Sequence, residues 1–357
     1  MEGLTLPLPH HVSRETSPAA RGRAFGSAQR AAVRNTVATY RRLLHESAGI
    51  DPGALPTHGA AVGERLERAR PDLVAEIEGI AAGAGVPVEE LLAVNARTEL
   101  LAGRTGAGEC TLAAVARDGR VLLGQNWDWH PALAASTIAW TVALPGGAWM
   151  TTVTEAGMLG KLGLSSHGVA LGLNFLASDR DGGTGGLPVH ALLRMVLDSA
   201  SSATEALALL LGADVSASAA VTVAAAEPGG VALAAVELSP AGPAVAWPDG
   251  RGVLVHANHF LAGPPAGRDA LVRDQPGSLL RERHVRTLLA GKAGIDHALR
   301  AHFPAPHGVC RHDDPSLPWA ERRATLVSLL ADPAGRTLGV AAGPPCEHPH
   351  QPLGVAP

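Results

Sequence analysis

The 357-residue sequence predicts an α+β fold in which stacked antiparallel sheets are covered by helices. Three observations carry this. From Arg21 to about Arg104, apolar residues recur three and four apart, as helices require; from Cys110 onward, short β-type runs come in pairs around Gly-containing turns; and helical segments are interspersed between those hairpins. No strand leads into a Gly-rich turn and helix of the Rossmann or P-loop kind, which argues against the common α/β enzyme folds.

In the first segment, Ala31-Ala32-Val33, Val37, Tyr40 and Leu43-Leu44 form one apolar face. Leu66, Leu73-Val74, Ile77 and Ile80 form a second that continues across Pro71, and Val88–Asn95 opens a third after Gly85-Val86-Pro87. The character changes after the Gly103–Gly108 stretch. Thr111–Ala116 and Arg120–Gly124 are expected to pair around Arg117-Asp118-Gly119. Strands follow at Thr137–Leu144, Trp149–Thr154 and Val169–Phe175, then helices at Val189–Asp198 and Thr204–Leu211. A hairpin over Ala220–Ala226 and Val231–Leu238, a strand at Val253–His256, a helix at Ser278–Ala290 and a last hairpin over Ala324–Leu330 and Thr337–Ala341 complete the pattern. The Pro- and His-enriched ends are expected to be poorly ordered.

Lys+Arg 29 against Asp+Glu 33, with no like-charge block, leaves no basic footprint for nucleic acid and no polybasic membrane patch. Small molecules are the expected partners. Cys110, Cys310 and Cys346 are too few and too scattered for a disulfide framework, no signal peptide is visible, and the longest apolar tracts are broken by charges and glycines. These features point to a cytoplasmic protein.

Cys110 stands at the start of a strand, just after Gly106-Ala107-Gly108-Glu109. A cysteine so placed is, taken alone, more often a small buried hydrophobe. Its position also lets the thiol attack the preceding peptide bond. An N→S acyl shift followed by hydrolysis leaves Cys110 with a free α-amine, whose unperturbed pKa of roughly 7.7–8.0 suits it to take the thiol proton and return it to a leaving group. One residue then supplies nucleophile and base.

Cys110-Thr111, Gly124-Gln125-Asn126-Trp127-Asp128-Trp129, Asn95-Ala96-Arg97-Thr98-Glu99, Gly172-Leu173-Asn174-Phe175 and His256-Ala257-Asn258-His259-Phe260 occur in this chain as an ordered set. Together they resemble the isopenicillin-N (acyl-coenzyme A:6-aminopenicillanate) acyltransferase family of self-cleaving N-terminal nucleophile (Ntn) hydrolases, related to bile-salt hydrolases and penicillin V acylases. The resemblance runs from about Arg21 to Cys346. It implies a four-layer αββα sandwich, cleavage between Glu109 and Cys110, and two associated segments, a helical one of residues 1–109 and a catalytic one of residues 110–357, forming one structural unit. It further implies that Cys110 is the nucleophile, that Asp128 holds its amine, that Asn258 supplies an oxyanion donor, and that Asn174 faces the nucleophile. Gln125 stands where the bile-salt hydrolases and penicillin V acylases carry an arginine, and Arg283 is a candidate for their later arginine.

The expected activity is attack on the amide, or the ester or thioester, of a small acylated molecule through a thioester acyl-enzyme. An amine or acyl-coenzyme A co-substrate is the alternative, and a non-cleaving ligand-binding homologue the second. No metal or organic cofactor is implied. Cys310-Arg311-His312-Asp313 and Cys346-Glu347-His348-Pro349-His350 lack paired zinc-ligand spacing and read as surface loops. Gly163-Leu164-Ser165-Ser166-His167 departs from a serine-hydrolase elbow in its last residue.

Overall fold

The computed structural model describes residues 8–102, 110–183, 185–263, 267–272, 276–291, 293–303 and 308–356. The first part is helical, as expected: α1 (Pro18–Ala28), α2 (Arg30–Ala48), α3 (Leu55–Ala69), α4 (Pro71–Ala84), α5 (Val88–Asn95) and α6 (Arg97–Leu100). The face that the sequence runs across Pro71 is two helices. Proline has no N–H to give an interior turn but fits the first one, so α3 closes at Ala69 and α4 opens on Pro71.

This helical part is tied into the remainder by buried polar contacts. Arg194 donates to Glu76 Oε1 at 2.7 Å, the Tyr40 hydroxyl donates to Glu155 Oε1 at 2.6 Å, and Asn95 Nδ2 donates to the Gly157 carbonyl at 2.9 Å. Such fully buried charges keep their place only when paired.

Fourteen strands are described, in two sheets. The first sheet takes β1 (His10–Ser13), β4 (Thr137–Ala143), β5 (Trp149–Glu155), β6 (Leu162–Ser165), β7 (Val169–Phe175), β8 (Ala219–Glu227), β9 (Gly230–Leu238) and β10 (Ala244–Ala246), adjacent in that order. The second takes β11 (Val253–His256), β2 (Thr111–Arg117), β3 (Arg120–Trp129), β12 (Ala324–Asp332), β13 (Thr337–Ala341) and β14 (Gln351–Leu353). All pairings among these strands are antiparallel except β1 with β4. The β2–β3 hairpin turns through Asp118 (φ 51°) and Gly119 (φ 71°), the two left-handed residues of a type I′ turn.

Period-two alternation sets the layers. On β2, Leu112 and Ala114 enter the large core with the first sheet, whereas Ala113 joins a second core with Val285 and Leu289 of α9 (Gly277–Ala290) and Ile295 and Leu299 of α10 (Ile295–Leu299). On the far side of the first sheet, α7 (Val189–Ser199) packs over β5–β7 and α8 (Ala203–Leu211) over β8 and β9. The order is helix, sheet, sheet, helix. The sheets approach closely at Gly172, where a Cβ would lie 2.1 Å from Leu112 Cδ1, so glycine is the residue that fits there.

Both ends differ from the sequence expectation. His10–Ser13 and Gln351–Leu353 are edge strands, one on each sheet, because backbone pairing orders segments whose composition carries no periodic signal. β3 also extends past Gly124 to Trp129. Its last residues, Gln125 to Trp129, are all buried, so no polar/apolar alternation marks them as strand.

Candidate active site

Cys110 immediately precedes β2, and its thiol is buried 4.0 Å from the carbonyl oxygen of Asp128. β2 and β3 are paired so that Thr111 lies opposite Asn126, which brings the start of one strand beside the end of the other. The eighteen-residue separation of Cys110 from Asp128 is therefore the length of a hairpin. Glu109 lies outside the described residues.

Asp128 is fully buried. Thr325 of β12 stands opposite it and donates its hydroxyl to Asp128 Oδ1 at 2.6 Å. The register of β12 shifts between Thr325 and Val327, a bulge of the kind that re-aims a side chain. Oδ2 of Asp128 has no hydrogen-bond partner among the described residues. Burial pushes the Asp128 carboxyl up to about 7, against the Thr325 hydrogen bond and the Arg281 charge, which favour ionisation. Burial and the Asp128 charge push the Cys110 thiol up to about 11.

Asn174 and Asn258 are both fully buried, Asn174 near the end of β7 and Asn258 two residues past the end of β11. Asn174 Nδ2 donates to the carbonyls of Cys110 and His256, each at 3.2 Å, and so pins the Cys110 peptide. Asn258 Nδ2 donates to the Phe175 carbonyl at 3.0 Å, while its Oδ1 accepts from Arg281 Nη2 at 2.9 Å. Because a guanidinium only donates, this contact fixes which side of the amide is oxygen. One N–H of the amide is thereby committed to Phe175.

The helix arginine of the site is Arg281, not Arg283. Arg281 is buried, and its Nε also donates to Thr111 Oγ1 at 3.1 Å. Arg283 is exposed, because two positions along an α-helix is a rotation of about 200°. Gln125 likewise has a different role from an electrostatic one. Its amide faces the other sheet, where Oε1 accepts from Leu173 N at 2.9 Å and Nε2 donates to the Leu173 carbonyl. Gln125→Ala is expected to leave both Leu173 backbone groups unpaired and cost about 1–3 kcal/mol, read as a lower midpoint in urea unfolding.

Cys110, Asp128, Arg97, Lys161, Trp127 and Leu173 are among the residues lining a cavity of about 20 Å³, room for roughly one water. Lys161 and Arg97 are site residues to which sequence reasoning gave no role. Lys161 Nζ lies 2.6 Å from Glu155 Oε2 and 3.6 Å from the centre of the Trp127 ring. The Arg97 guanidinium lies 4.7 Å from the centre of the Trp129 ring. Burial and the charge of Arg97 push the Lys161 ammonium down, against the pull of Glu155. The available signal was that Lys161 is one of only two lysines in the chain and stands in an apolar stretch. Among the described residues, the group of side chains close enough to share a metal ion is His302, Cys310, His312 and Cys346, none of which lines this cavity.

A helix-covered pair of stacked antiparallel sheets, with a buried cysteine immediately before an inner strand and a carboxylate beside it, is the arrangement of the Ntn-hydrolase class. Residues 115–345 match the family described as acyl-coenzyme A:6-aminopenicillanic acid acyl-transferase. The chain is 30% identical over 342 residues to the acyl-coenzyme A:6-aminopenicillanic-acid-acyltransferase 40 kDa form of Emericella nidulans, covering 94% of this chain and 93% of that one. Among solved structures, penicillin V acylase from Agrobacterium tumefaciens overlaps 65% of this chain and 82% of its own at 13% identity, with a TM-score of 0.40. A mutant form of conjugated bile acid hydrolase from Clostridium perfringens overlaps 69% of this chain and 96% of its own at 14% identity, with a TM-score of 0.44. This chain belongs to the acyl-coenzyme A:6-aminopenicillanic acid acyltransferase family, and acyl transfer is the chemistry that its relatives are named for.

Proposed function

We propose that the chain cuts itself between Glu109 and Cys110 and then acts as an N-terminal cysteine amidohydrolase on a small acylated molecule. The observation that carries this is the placing of Cys110 and Asp128 in the lining of one cavity, the carboxyl having a buried oxygen without a hydrogen-bond partner among the described residues. In the first step the thiol adds to the Glu109 carbonyl, the C–N bond breaks, and the departing nitrogen takes a proton. The α-amine is thereby freed, and water then hydrolyses the thioester to give the Glu109 α-carboxylate and the free thiol. The new ammonium gives Asp128 its counter-charge, and the amine becomes the base for every later turnover.

In turnover the amine draws off the thiol proton, the thiolate attacks the substrate carbonyl, and the leaving amine takes that proton. A thioester acyl-enzyme remains, which water resolves. The remaining N–H of Asn258, with backbone N–H groups, meets the developing oxyanion. Asn258→Ala is expected to lower kcat about 10²–10³-fold, with self-cleavage followed separately by intact mass. Cleavage leaves residues 1–109 associated with residues 110–357. The Arg194–Glu76 and Tyr40–Glu155 contacts and the β1–β4 pairing, which join the two sides, all survive the cut.

Acyl-coenzyme A-dependent transfer to an amine is the second reading, favoured by the acyltransferase that matches 94% of this chain. Assay of acyl-amides, lactams and acyl-coenzyme A thioesters, each with and without an acceptor amine, separates the two. Acyl product appearing only on water supports the hydrolase; acyl product appearing on the amine in preference to water replaces it with the transferase.

A further inference from the structure

We propose that His302, Cys310, His312 and Cys346 bind one zinc ion as a closed structural site, separate from the nucleophile's cavity. The four come from three stretches of chain: the segment after α10, the approach to β12, and the turn after β13. Neither cysteine-containing loop has zinc spacing by itself, which is why the sequence reads them as surface loops. Folding brings them together with His302. One ligand atom from each of the four lies within 4.8 Å of all the others.

Three of the six distances between ligand atoms are near the edges of a tetrahedron. Cys310 Sγ and Cys346 Sγ are 3.5 Å apart, Cys346 Sγ and His312 Nε2 3.2 Å, and His302 Nε2 and His312 Nε2 3.2 Å. Zn–S bonds of about 2.3 Å and Zn–N bonds of about 2.0–2.1 Å place neighbouring ligand atoms roughly 3.3–3.8 Å apart. Shifts of a few tenths of an ångström bring these three edges to that geometry, and the other three lie within 4.8 Å. A second observation points the same way: His312 turns its other ring nitrogen to Glu347, with Nδ1 3.3 Å from Oε1. A carboxylate at that position fixes the ring so that Nε2 faces a metal. Two thiolates with two imidazoles select zinc over magnesium or calcium, and four protein ligands leave no open position for catalysis.

The site has a place in the architecture. Arg311, between two of the ligands, donates its N–H to Thr325 Oγ1 at 2.9 Å and accepts from Thr325 N at 3.1 Å. Thr325 is the residue that donates to Asp128. The ion would thus clamp the loop that holds Thr325, and link the segment after β13 to it.

The test is metal analysis of untagged protein purified without chelator, alongside Cys110→Ala, Cys346→Ser and His312→Ala. About one zinc per chain is expected in the native protein and equally in Cys110→Ala, falling close to zero in the other two. Cobalt added to the metal-free native chain should give tetrahedral d–d absorption with a thiolate charge-transfer band that is lost in Cys346→Ser. Circular dichroism confirms that the variants fold, and the cobalt spectrum of the native chain needs no variant. Equal zinc in native protein and Cys346→Ser, no zinc or cobalt uptake by the native chain, or a Cys310–Cys346 disulfide in freshly purified protein would each overturn the site. Because Cys110→Ala retains the metal, a failed cleavage experiment and a failed metal experiment cannot be mistaken for each other.

Discussion

Cys110→Ala is expected to remain a single 36.4 kDa chain, whereas the wild type yields two fragments whose masses sum to that chain plus one water. The expected effect is all-or-none, because the acyl shift has no other nucleophile. Alanine removes the sulfur that must carry the acyl group, and the cavity beside Asp128, of about 20 Å³, has room for roughly one water that has no route to an acyl intermediate. Denatured intact mass and N-terminal sequencing of freshly purified protein read this directly: the larger fragment must begin at Cys110. A wild-type chain that stays whole over days would leave Cys110 without a free amine, and a non-cleaving binding protein would become the better reading.

Asp128→Asn is expected to slow self-cleavage by roughly 10²–10⁴-fold, the range for losing a positioned acid or base. In the uncut chain Cys110 has no free amine, so another group must receive the thiol proton. Asp128 is beside it, with a carboxyl raised to about 7 by burial and a thiol opposite raised to about 11. The wild-type cleavage rate should rise with pH through about 7 as Asp128 ionises, and that inflection should vanish in the asparagine variant. Stability runs the other way. The folded Asp128 carboxyl titrates above its ordinary value of 3.8, so the folded chain holds the extra proton. In uncut Cys110→Ala this contribution is fully present below about 3.8 and is lost as pH rises to about 7. Adding Asp128→Asn should therefore flatten the fall in urea midpoint across that window. A cleavage rate unchanged by the asparagine would remove Asp128 from the mechanism.

The hairpins, most of the helices and the place of Cys110 at the head of a strand were legible in the sequence. Apolar spacing and turn residues are local signals, and Asp118-Gly119 or Gly85 act wherever the chain later goes. The Cys110–Asp128 pair was legible only through the family resemblance, because residues 125–129 are all buried and carry no alternation that marks them as the rest of the hairpin. What depended on meetings between distant segments was not. Arg281 rather than Arg283 reaches Asn258 because the helix phase against β2 decides which face is buried. Gln125 serves Leu173, and Lys161 serves Glu155 beneath Trp127, only because the two sheets stack at this register. His302, Cys310, His312 and Cys346 come within reach of a common ion only when three loops close on one another. Residue spacing determines which elements form; the packing of those elements decides which side chains share a site, because that choice is made by contacts between residues far apart in the chain.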